Sequence, residues 1–370
     1  MLKEAVEQKE ESKKEEVQKY NIRGVNVNVA PSEKEFADKL FDSLAKIPTG
    51  RKAIDDMARY NVSFFLETSL GTAGGYFDPE NNQIVMAKSL GMDFMEFSLV
   101  HEARHLLQNN LGRNEAESQN LDYKTRLMIN RATEADAQAQ AVQACKEWEA
   151  MGHTAPIKRF EKHYKPILDR FAKSNTLSDA FKGWYDDERI TASYEFGYDI
   201  QPALGSLGTK PDKRPVVSLR PEDIGQFCGA YRVDGFNEFV ESDHALRVHL
   251  LTKTAVGLYD AAMVAKGAHH DASIDALPVR KLKDNAGAQM YAEKYIAETR
   301  QQFASESENG KLIGKTVDAV EKINKAAVKG KKNLSAEIAL AAAKEETRKL
   351  YAPKKKNLAL SAAKFRITSR

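Results

Sequence analysis

The chain has 370 residues, enough for one large domain or two smaller ones, and its mean hydropathy of −0.54 is typical of a globular protein with some solvated segments. No apolar run approaches the roughly 20 residues that a membrane-spanning helix needs. The only two cysteines, Cys145 and Cys228, give no disulfide framework. The net charge of +3 hides an asymmetry, because residues 311–370 contain 16 Lys and Arg against 5 Asp and Glu, which leaves about −8 on residues 1–310.

The N-terminal residues alternate acidic and basic side chains without an apolar face, so we predict a charged, disordered segment at 1–20. This segment also lacks the apolar stretch of a secretory signal, and we therefore expect a cytoplasmic protein. An amphipathic helix is predicted next, with Ser32 as its N-cap and Glu35 completing a capping box. Its apolar stripe consists of Phe36, Leu40, Phe41 and Leu44.

Short strands and long helices are predicted along the rest of the chain. Val62–Leu66 has the composition of a strand, and two β-like stretches between Tyr76 and Met86 flank a turn rich in Pro and Asn, which indicates a hairpin. Helices are predicted at Asp93–Asn110, Leu121–Met151, Ser178–Tyr194, Leu246–Lys266 and Asn285–Phe303. The Gly- and Pro-rich segment Gly205–Pro221 indicates a domain boundary or a long loop.

One short motif in this pattern carries chemistry. His101, Glu102 and His105 form the sequence HExxH within a predicted helix. Because residues i and i+4 lie on one face of a helix, both imidazoles can reach the same tetrahedral metal ion. Glu102 can then accept a proton from a metal-bound water, whose pKa zinc lowers toward neutrality. HExxH also occurs by chance, so this interpretation requires a third ligand.

The next predicted helix offers two acids as the third ligand. Glu134 and Asp136 lie 29 and 31 residues after His105, and antiparallel packing of the two helices would bring them beside the motif. Glu134 is favoured because its neighbours on the same helix face, including Gln138 and Ala141, are compatible with partial burial. Asp136 is rotated by about 200° around the helix and could instead face solvent. On spacing alone, Glu134 is equally well a surface carboxylate, so the ligand stays open at this point. Two further candidates are His153 and His163.

The residues around the histidines and the acids also resemble a known family. Leu99–Gln108 and Arg131–Ala137 together resemble a family of bacterial proteins described as putative metallopeptidases, whose members pair an HExRHxxQ helix with an RxxEADA helix. More distantly, the second segment is similar to the EANxFA helix of zinc peptidases that cleave phage repressors. The likeness covers roughly residues 60–200 and extends, more weakly, to Phe181–Tyr185.

This resemblance implies a fold and a set of roles. The fold is expected to be α+β and mostly helical, with a zincin-like core of the gluzincin type. In that core a small antiparallel sheet or hairpin packs on the HExxH helix, and a helical C-terminal extension follows. His101, His105 and Glu134 would bind one zinc ion, and Glu102 would be the general base. No other cofactor is expected.

The groups that would contact the substrate are less well specified. In zincins the substrate backbone pairs with an edge strand, for which Gln83–Met86 or its partner near Tyr76 is available. Candidate donors to the oxyanion are Tyr123, Arg131, Tyr185 and Tyr194. Arg131 is equally suited to orient Glu134. The remaining segment with paired histidines, His269–Asp271, is expected to be a solvated loop.

The C-terminal tail carries three basic clusters, at Lys329–Lys332, Lys354–Lys356 and Lys364–Arg370. Such clusters are often merely solvated, but they also suit contact with nucleic acid or an anionic membrane surface. A basic C terminus further resembles, in composition, the export signals that type IV secretion systems read. Few aromatic residues lie between the lysines, which argues against a surface for single-stranded nucleic acid.

We therefore predict a charged segment at 1–20, a metallopeptidase domain at 21–204, a mostly helical extension at 205–305 and a basic helical tail at 306–370. The predicted function is zinc-dependent hydrolysis of a peptide bond in a protein or peptide substrate. One alternative is a catalytically silent zincin-fold module whose tail contacts nucleic acid or a protein partner, and another is a zinc hydrolase of a non-peptide amide. Glu102 favours the peptidase, because structural zinc has four protein ligands and needs no general base.

Overall fold

A computed structural model describes residues 16–71, 74–228 and 233–280, together with scattered helical positions between 294 and 352. The chain forms two compact units. The first comprises Met1–Gln119, Met128–Asp187 and Leu219–Ser242, and the second comprises Asn120–Leu127, Glu188–Ser218 and Asp243–Arg370. The segment boundaries that were predicted near 204 and 305 stay predictions.

The first unit contains a mixed five-stranded sheet with the strand order β1-β2-β3-β5-β4. Its strands are Gln18–Ile22 (β1), Val25–Val29 (β2), Ser63–Glu67 (β3), Gly75–Asp78 (β4) and Gln83–Ala87 (β5). The predicted hairpin is confirmed as the antiparallel pair β4–β5. The expectation of an antiparallel sheet is wrong at its centre, where β3 is parallel to both β2 and β5. Two helices connect β2 to β3, so the chain re-enters the sheet in the same direction.

The first hairpin occupies part of the segment that was predicted to be disordered. β1 begins at Gln18, so the prediction is wrong for residues 18–20, and residues 1–15 lie outside the described residues. Arg23 and Gly24 form the connection, both with positive φ (53° and 87°), which matches the right-handed twist of a two-residue hairpin turn. In β2 every second residue is a buried valine and the residues between them are half-buried, which is the pattern of a strand with one face on the core.

The described helices of both units, in chain order, are α1 (Lys34–Leu44), α2 (Pro48–Arg59), α3 (Met92–Gln108), α4 (Asn114–Glu117), α5 (Tyr123–Ala150), α6 (Ala155–Ser174), α7 (Leu177–Asp186), α8 (Glu188–Tyr194), α9 (Gln201–Gly205), α10 (Pro221–Phe227), α11 (Phe236–Val240), α12 (Asp243–Leu246), α13 (Leu250–Ala265) and α14 (Ser273–Ala276). The expected mostly helical α+β architecture is confirmed. The predicted helices that correspond to α3, α5 and α13 are confirmed with ends shifted by a few residues. The helix predicted at Ser178–Tyr194 is interrupted at Asp187.

The start of α1 differs from the predicted capping box. A short 3₁₀ turn, Pro31–Glu33, precedes the helix, and the Glu33 carboxylate accepts a hydrogen bond of 3.2 Å from the Ala30 N–H. Glu33 therefore performs the function that was assigned to Glu35.

The helices α3 and α5 form the centre of the first unit. Every residue of α3 from Phe94 to Leu106 is buried, and so is every residue of α5 from Arg131 to Ala139. The helices pack antiparallel. Gln108 near the end of α3 contacts Thr133 near the start of the buried part of α5, whereas Val100 of α3 lines the same cavity as Gln143 of α5. Helices buried around their whole circumference can hold polar residues only in pairs or networks, which determines the arrangement of the site.

The second unit has its own apolar core, formed where α8, the π-helical turn Glu195–Ile200 and α9 meet α13. Its members include Phe196, Ile200, Leu204, Leu251, Leu258 and Tyr351. In the part of the chain that the structure describes, no helix is both long and apolar enough to cross a bilayer. The three basic clusters of the tail and most of the helix predicted at Asn285–Phe303 lie outside the described residues.

Candidate metal centre

The helices α3 and α5 bring the three predicted ligands together. His101 and His105 project from successive turns of α3, and Glu134 projects from α5. Their ligand atoms all lie within 4.8 Å of one another, and no side chain of the three is more than 10% exposed. Two imidazoles and a carboxylate in this arrangement could hold a metal ion.

The distances between the ligand atoms are compatible with a single shared metal ion. His101 Nε2 lies 3.0 Å from His105 Nε2 and 3.3 Å from Glu134 Oε2, and His105 Nε2 lies 3.5 Å from Glu134 Oε1. Ligands that are about 2.0–2.1 Å from a tetrahedral zinc ion lie about 3.3–3.4 Å from one another. Among the described residues, the buried Glu134 Oε2 has no hydrogen-bonding partner, an arrangement that a bound cation explains. The three residues therefore fit a metal ion.

The charge state of Glu134 also suits a ligand. Burial alone would raise the pKa of its carboxyl, but the imidazoles of His105 and His101 outweigh burial and hold the pKa well below its ordinary value. Glu134 is therefore an anion at neutral pH, the form in which a carboxylate binds metal.

Glu102 lies beside this cluster on α3 and contacts the edge strand β4. The backbone N–H of Phe77 donates a hydrogen bond to the Glu102 carboxylate. Burial raises the pKa of Glu102 to about 7; His101 opposes this rise, and the charge of Glu134 adds to it. A carboxyl group with this pKa can accept and release a proton near neutral pH.

The ladder between β4 and β5 shows which way the edge strand faces. The Ala87 N–H donates a 3.0 Å hydrogen bond to the Gly74 carbonyl oxygen. The backbone N–H and C=O groups of successive residues point to opposite sides of a strand. Since Gly74 directs its carbonyl toward β5, Gly75 and Phe77 direct their backbone groups away from β5. The hydrogen bond from Phe77 to Glu102 lies on that side. The open edge of β4 therefore lies next to the motif helix.

The part of the chain that contains these elements is similar to a known protein family. Residues 23–201 match the model of a putative metallopeptidase family. This region includes His101, Glu102, His105 and Glu134. No curated protein and no solved structure matches the chain. The family supports an enzyme that uses a metal ion, and in the described residues the cluster of two histidines and Glu134 is suited to bind one.

Sequence reasoning did not identify the polar residues that surround His105. Gln108 Oε1 lies 2.8 Å from His105 Nδ1, and Gln108 Nε2 donates to the Thr133 carbonyl oxygen and to the Asp136 carboxylate. Asp136 also accepts hydrogen bonds from Arg104 at 2.6 and 3.1 Å. The structure therefore places Glu134 in the candidate metal cluster and Asp136 in an ion pair. The expectation that Asp136 faces solvent is wrong, because α5 is buried all round at this level.

The predicted oxyanion donors lie in different surroundings. Tyr185 is buried on α7 with its ring 5.0 Å from that of Phe239; burial raises the pKa of its hydroxyl, and the nearby charge of Arg131 opposes the rise. Arg131 is itself buried on α5. Tyr123 and Tyr194 belong to the second unit, where Tyr194 stacks on a neighbouring tyrosine ring. The oxyanion roles of all four residues stay predictions.

The other histidines that were considered as ligands have different partners. His153 Nε2 lies 2.9 Å from a carboxylate oxygen of Glu96, which precedes the motif on α3. The ring of His163 packs edge-on against Phe94 at 5.5 Å. In the second unit, His270 Nδ1 lies 2.8 Å from Asp260, so the loop that was predicted to be solvated is anchored at this residue.

Proposed function

We propose that the chain is a zinc metallopeptidase of the gluzincin type, with one zinc ion bound by His101, His105 and Glu134 and with Glu102 as the general base. The observation that carries the proposal is the buried cluster itself, whose ligand atoms all lie within 4.8 Å of one another. The family match of residues 23–201 supports the metallopeptidase class. Zinc is the metal proposed because two imidazoles and a carboxylate, with a fourth position for water, are the usual ligands of catalytic zinc.

The donor set favours catalysis over a purely structural role. Structural zinc sites are closed by four protein ligands, whereas catalytic sites have three and leave one position for water or substrate. The cluster in the described residues has three members. When bound, zinc would lower the pKa of a coordinated water toward neutrality and polarise the substrate carbonyl. A general base is needed beside such a site, and Glu102 is adjacent to His101 on the same helix.

The chain's own contribution to the reaction is positioning and proton transfer. The Phe77 N–H holds the Glu102 carboxylate against the edge strand, so its orientation is set before substrate binds. Glu102 would accept the proton of the attacking water and later deliver it to the leaving amine nitrogen. Burial is the main cause that raises the pKa of Glu102, and a raised pKa favours acceptance of that proton.

The open edge of β4 suits an extended peptide. The backbone groups of Gly75 and the carbonyl of Phe77 point away from β5, where a substrate strand can add to the sheet through main-chain hydrogen bonds. Tyr76 on the same strand is 43% exposed and can contact substrate side chains. Of the two strands considered in the sequence, β4 is the edge strand and β5 is internal. A protein or peptide substrate is therefore favoured over a small amide.

Hydrolysis of a broad peptide library by wild type and by Glu102→Gln tests the proposal. Wild-type protein with zinc is expected to cleave, and Glu102→Gln is expected to lose about 10²–10⁴-fold in rate because the proton acceptor is gone. His153→Gln is the control, since His153 contacts Glu96 and lies outside the cluster. Equal cleavage by wild type and Glu102→Gln would contradict the proposal. If removal of the basic tail abolishes the protein's function in cells and Glu102→Gln does not, the result supports the alternative, a catalytically silent zincin-fold module, instead of the peptidase.

A further inference from the structure

The side-chain amide of Gln108 has a single possible orientation. Its Nε2 lies 2.9 Å from the carbonyl oxygen of Thr133 and 2.8 Å from Asp136 Oδ2. Both oxygens only accept hydrogen bonds, since Asp136 is ion-paired with Arg104. The NH₂ group of Gln108 must therefore point toward them, and amide orientation is assigned from such a network. Gln108 Oε1 is then the atom that faces His105.

This orientation determines the tautomer of His105. Gln108 Oε1 only accepts, so His105 Nδ1 at 2.8 Å must carry the proton. Arg113 Nη1 lies 3.5 Å from the same nitrogen, at the limit of a hydrogen bond, and the shorter contact decides. A neutral imidazole protonated on Nδ1 has its lone pair on Nε2, the atom that faces Glu134. His105 is thus held in the form that binds metal.

The network acts on one of the two histidines. Gln108 is fully buried at the end of α3, and its amide partners Thr133 and Asp136 both belong to α5. By contrast, the buried Nδ1 of His101 has no hydrogen-bonding partner among the described residues. The chain therefore fixes the ring of His105 through contacts between both helices and leaves His101 without an equivalent contact in the described part.

We propose that Gln108 is a positioning residue that holds His105 in its Nδ1–H tautomer and thereby raises the affinity of the site for a divalent metal ion. The inference rests on the proposed metal site and adds a residue that acts through His105 without contacting the metal. Hydrogen-bond partners of this kind change metal affinity by about 10–100-fold when they are removed. The same loss is expected when Gln108 is replaced.

The matched pair of variants is Gln108→Met and Gln138→Met. Both replace a buried glutamine by a side chain of similar length, but Gln138 lies on α5 outside the network and its Oε1 has no hydrogen-bonding partner among the described residues. Zinc affinity is measured by competition with a chelator. The tautomer is measured by two-bond ¹⁵N–¹H correlation spectra of the metal-free, histidine-labelled protein, with His105 assigned by its loss in His105→Gln.

The expected result is a zinc Kd raised by about 10–100-fold in Gln108→Met and nearly unchanged in Gln138→Met. The metal-free wild type is expected to show His105 as the Nδ1–H tautomer, and Gln108→Met to lose that signature. Unchanged affinity in Gln108→Met overturns the inference. An Nε2–H tautomer in wild type also overturns it, and this measurement requires no variant to fold. If wild type binds zinc no better than His101→Ala, the proposed metal site itself fails, whatever the tautomer of His105.

Discussion

Removal of the Asp136 carboxylate is expected to destabilise the first unit by about 3–5 kcal/mol, because it leaves the Arg104 guanidinium buried without this partner. The two side chains are only 6% and 7% exposed, and their hydrogen bonds are 2.6 and 3.1 Å long. Asp136→Ala also removes an acceptor from Gln108, which adds about 1 kcal/mol. Urea unfolding followed by tryptophan fluorescence measures the loss, since both tryptophans, Trp148 and Trp184, are buried in the first unit.

The matched control is Asp42→Ala, which breaks an Arg–Asp pair at the surface. Arg23 and Asp42 are 47% and 62% exposed, although their contact of 2.8 Å is as close. Solvent screens this pair, so its removal should cost no more than about 1 kcal/mol. If Asp136→Ala costs no more than Asp42→Ala, the reasoning from burial is refuted.

The double variant Arg104→Met/Asp136→Leu separates an unpaired charge from lost packing. Apolar residues of similar volume often replace a buried ion pair without loss of stability, so most of the stability lost in Asp136→Ala should return. The zinc affinity of the double variant should be weaker than that of wild type, because Gln108 loses the Asp136 carboxylate that orients its amide. A double variant as unstable as the single one would show that the unpaired charge is not the cause.

Three further predictions concern the general base, the edge strand and the second unit. Glu102→Gln should bind zinc with nearly wild-type affinity while hydrolysis is lost; loss of zinc itself would place Glu102 among the ligands. Gly74→Ala should lower the free energy of unfolding by about 1–3 kcal/mol, because a Cβ there would lie 2.4 Å from Phe94 Cε1. The control Gly197→Ala places its Cβ in open space and should change the free energy of unfolding by less than about 1 kcal/mol. Equal effects of the two variants in urea unfolding would exclude the steric cause. His270→Gln should lower the melting temperature more at pH 6 than at pH 9. The hydrogen bond to Asp260 raises the pKa of His270 in the folded protein, so the stabilisation by His270 is full below the pKa of the unfolded state and is lost as pH rises through the pKa of the folded state. An equal loss of melting temperature at both pH values would contradict this.

The motif helix and its partner could be predicted because both patterns are local. HExxH places two imidazoles on one helix face, and the Ala-rich composition around Glu134 is that of a helix. The alternation of valines in β2 was an equally local signal of a strand, and no strand was predicted there. The charged residues 1–20 led to a prediction of disorder that included the start of β1. The parallel pairing of β2 with β3 depends on contacts between residues distant in the chain, which local patterns do not specify.

The network around His105 could not be predicted from helical spacing. Spacing predicted one exposed face for α5, whereas the helix is buried all round, and this burial brings Asp136 to Arg104. A charge of each sign within apolar stretches on two neighbouring helices was the signal that could have indicated the pair. The contact between Glu102 and Phe77 involves a backbone group, so no side-chain pattern could show it.

The most direct test of the metal centre is the zinc content of purified protein, measured by inductively coupled plasma mass spectrometry. Wild type and His153→Gln are expected to contain about one zinc per chain, whereas His101→Ala and Glu134→Ala, which each remove one of three buried ligands, should contain almost none. Folded wild-type protein that takes up no zinc, or a His101→Ala variant that retains a full equivalent, would contradict the assignment.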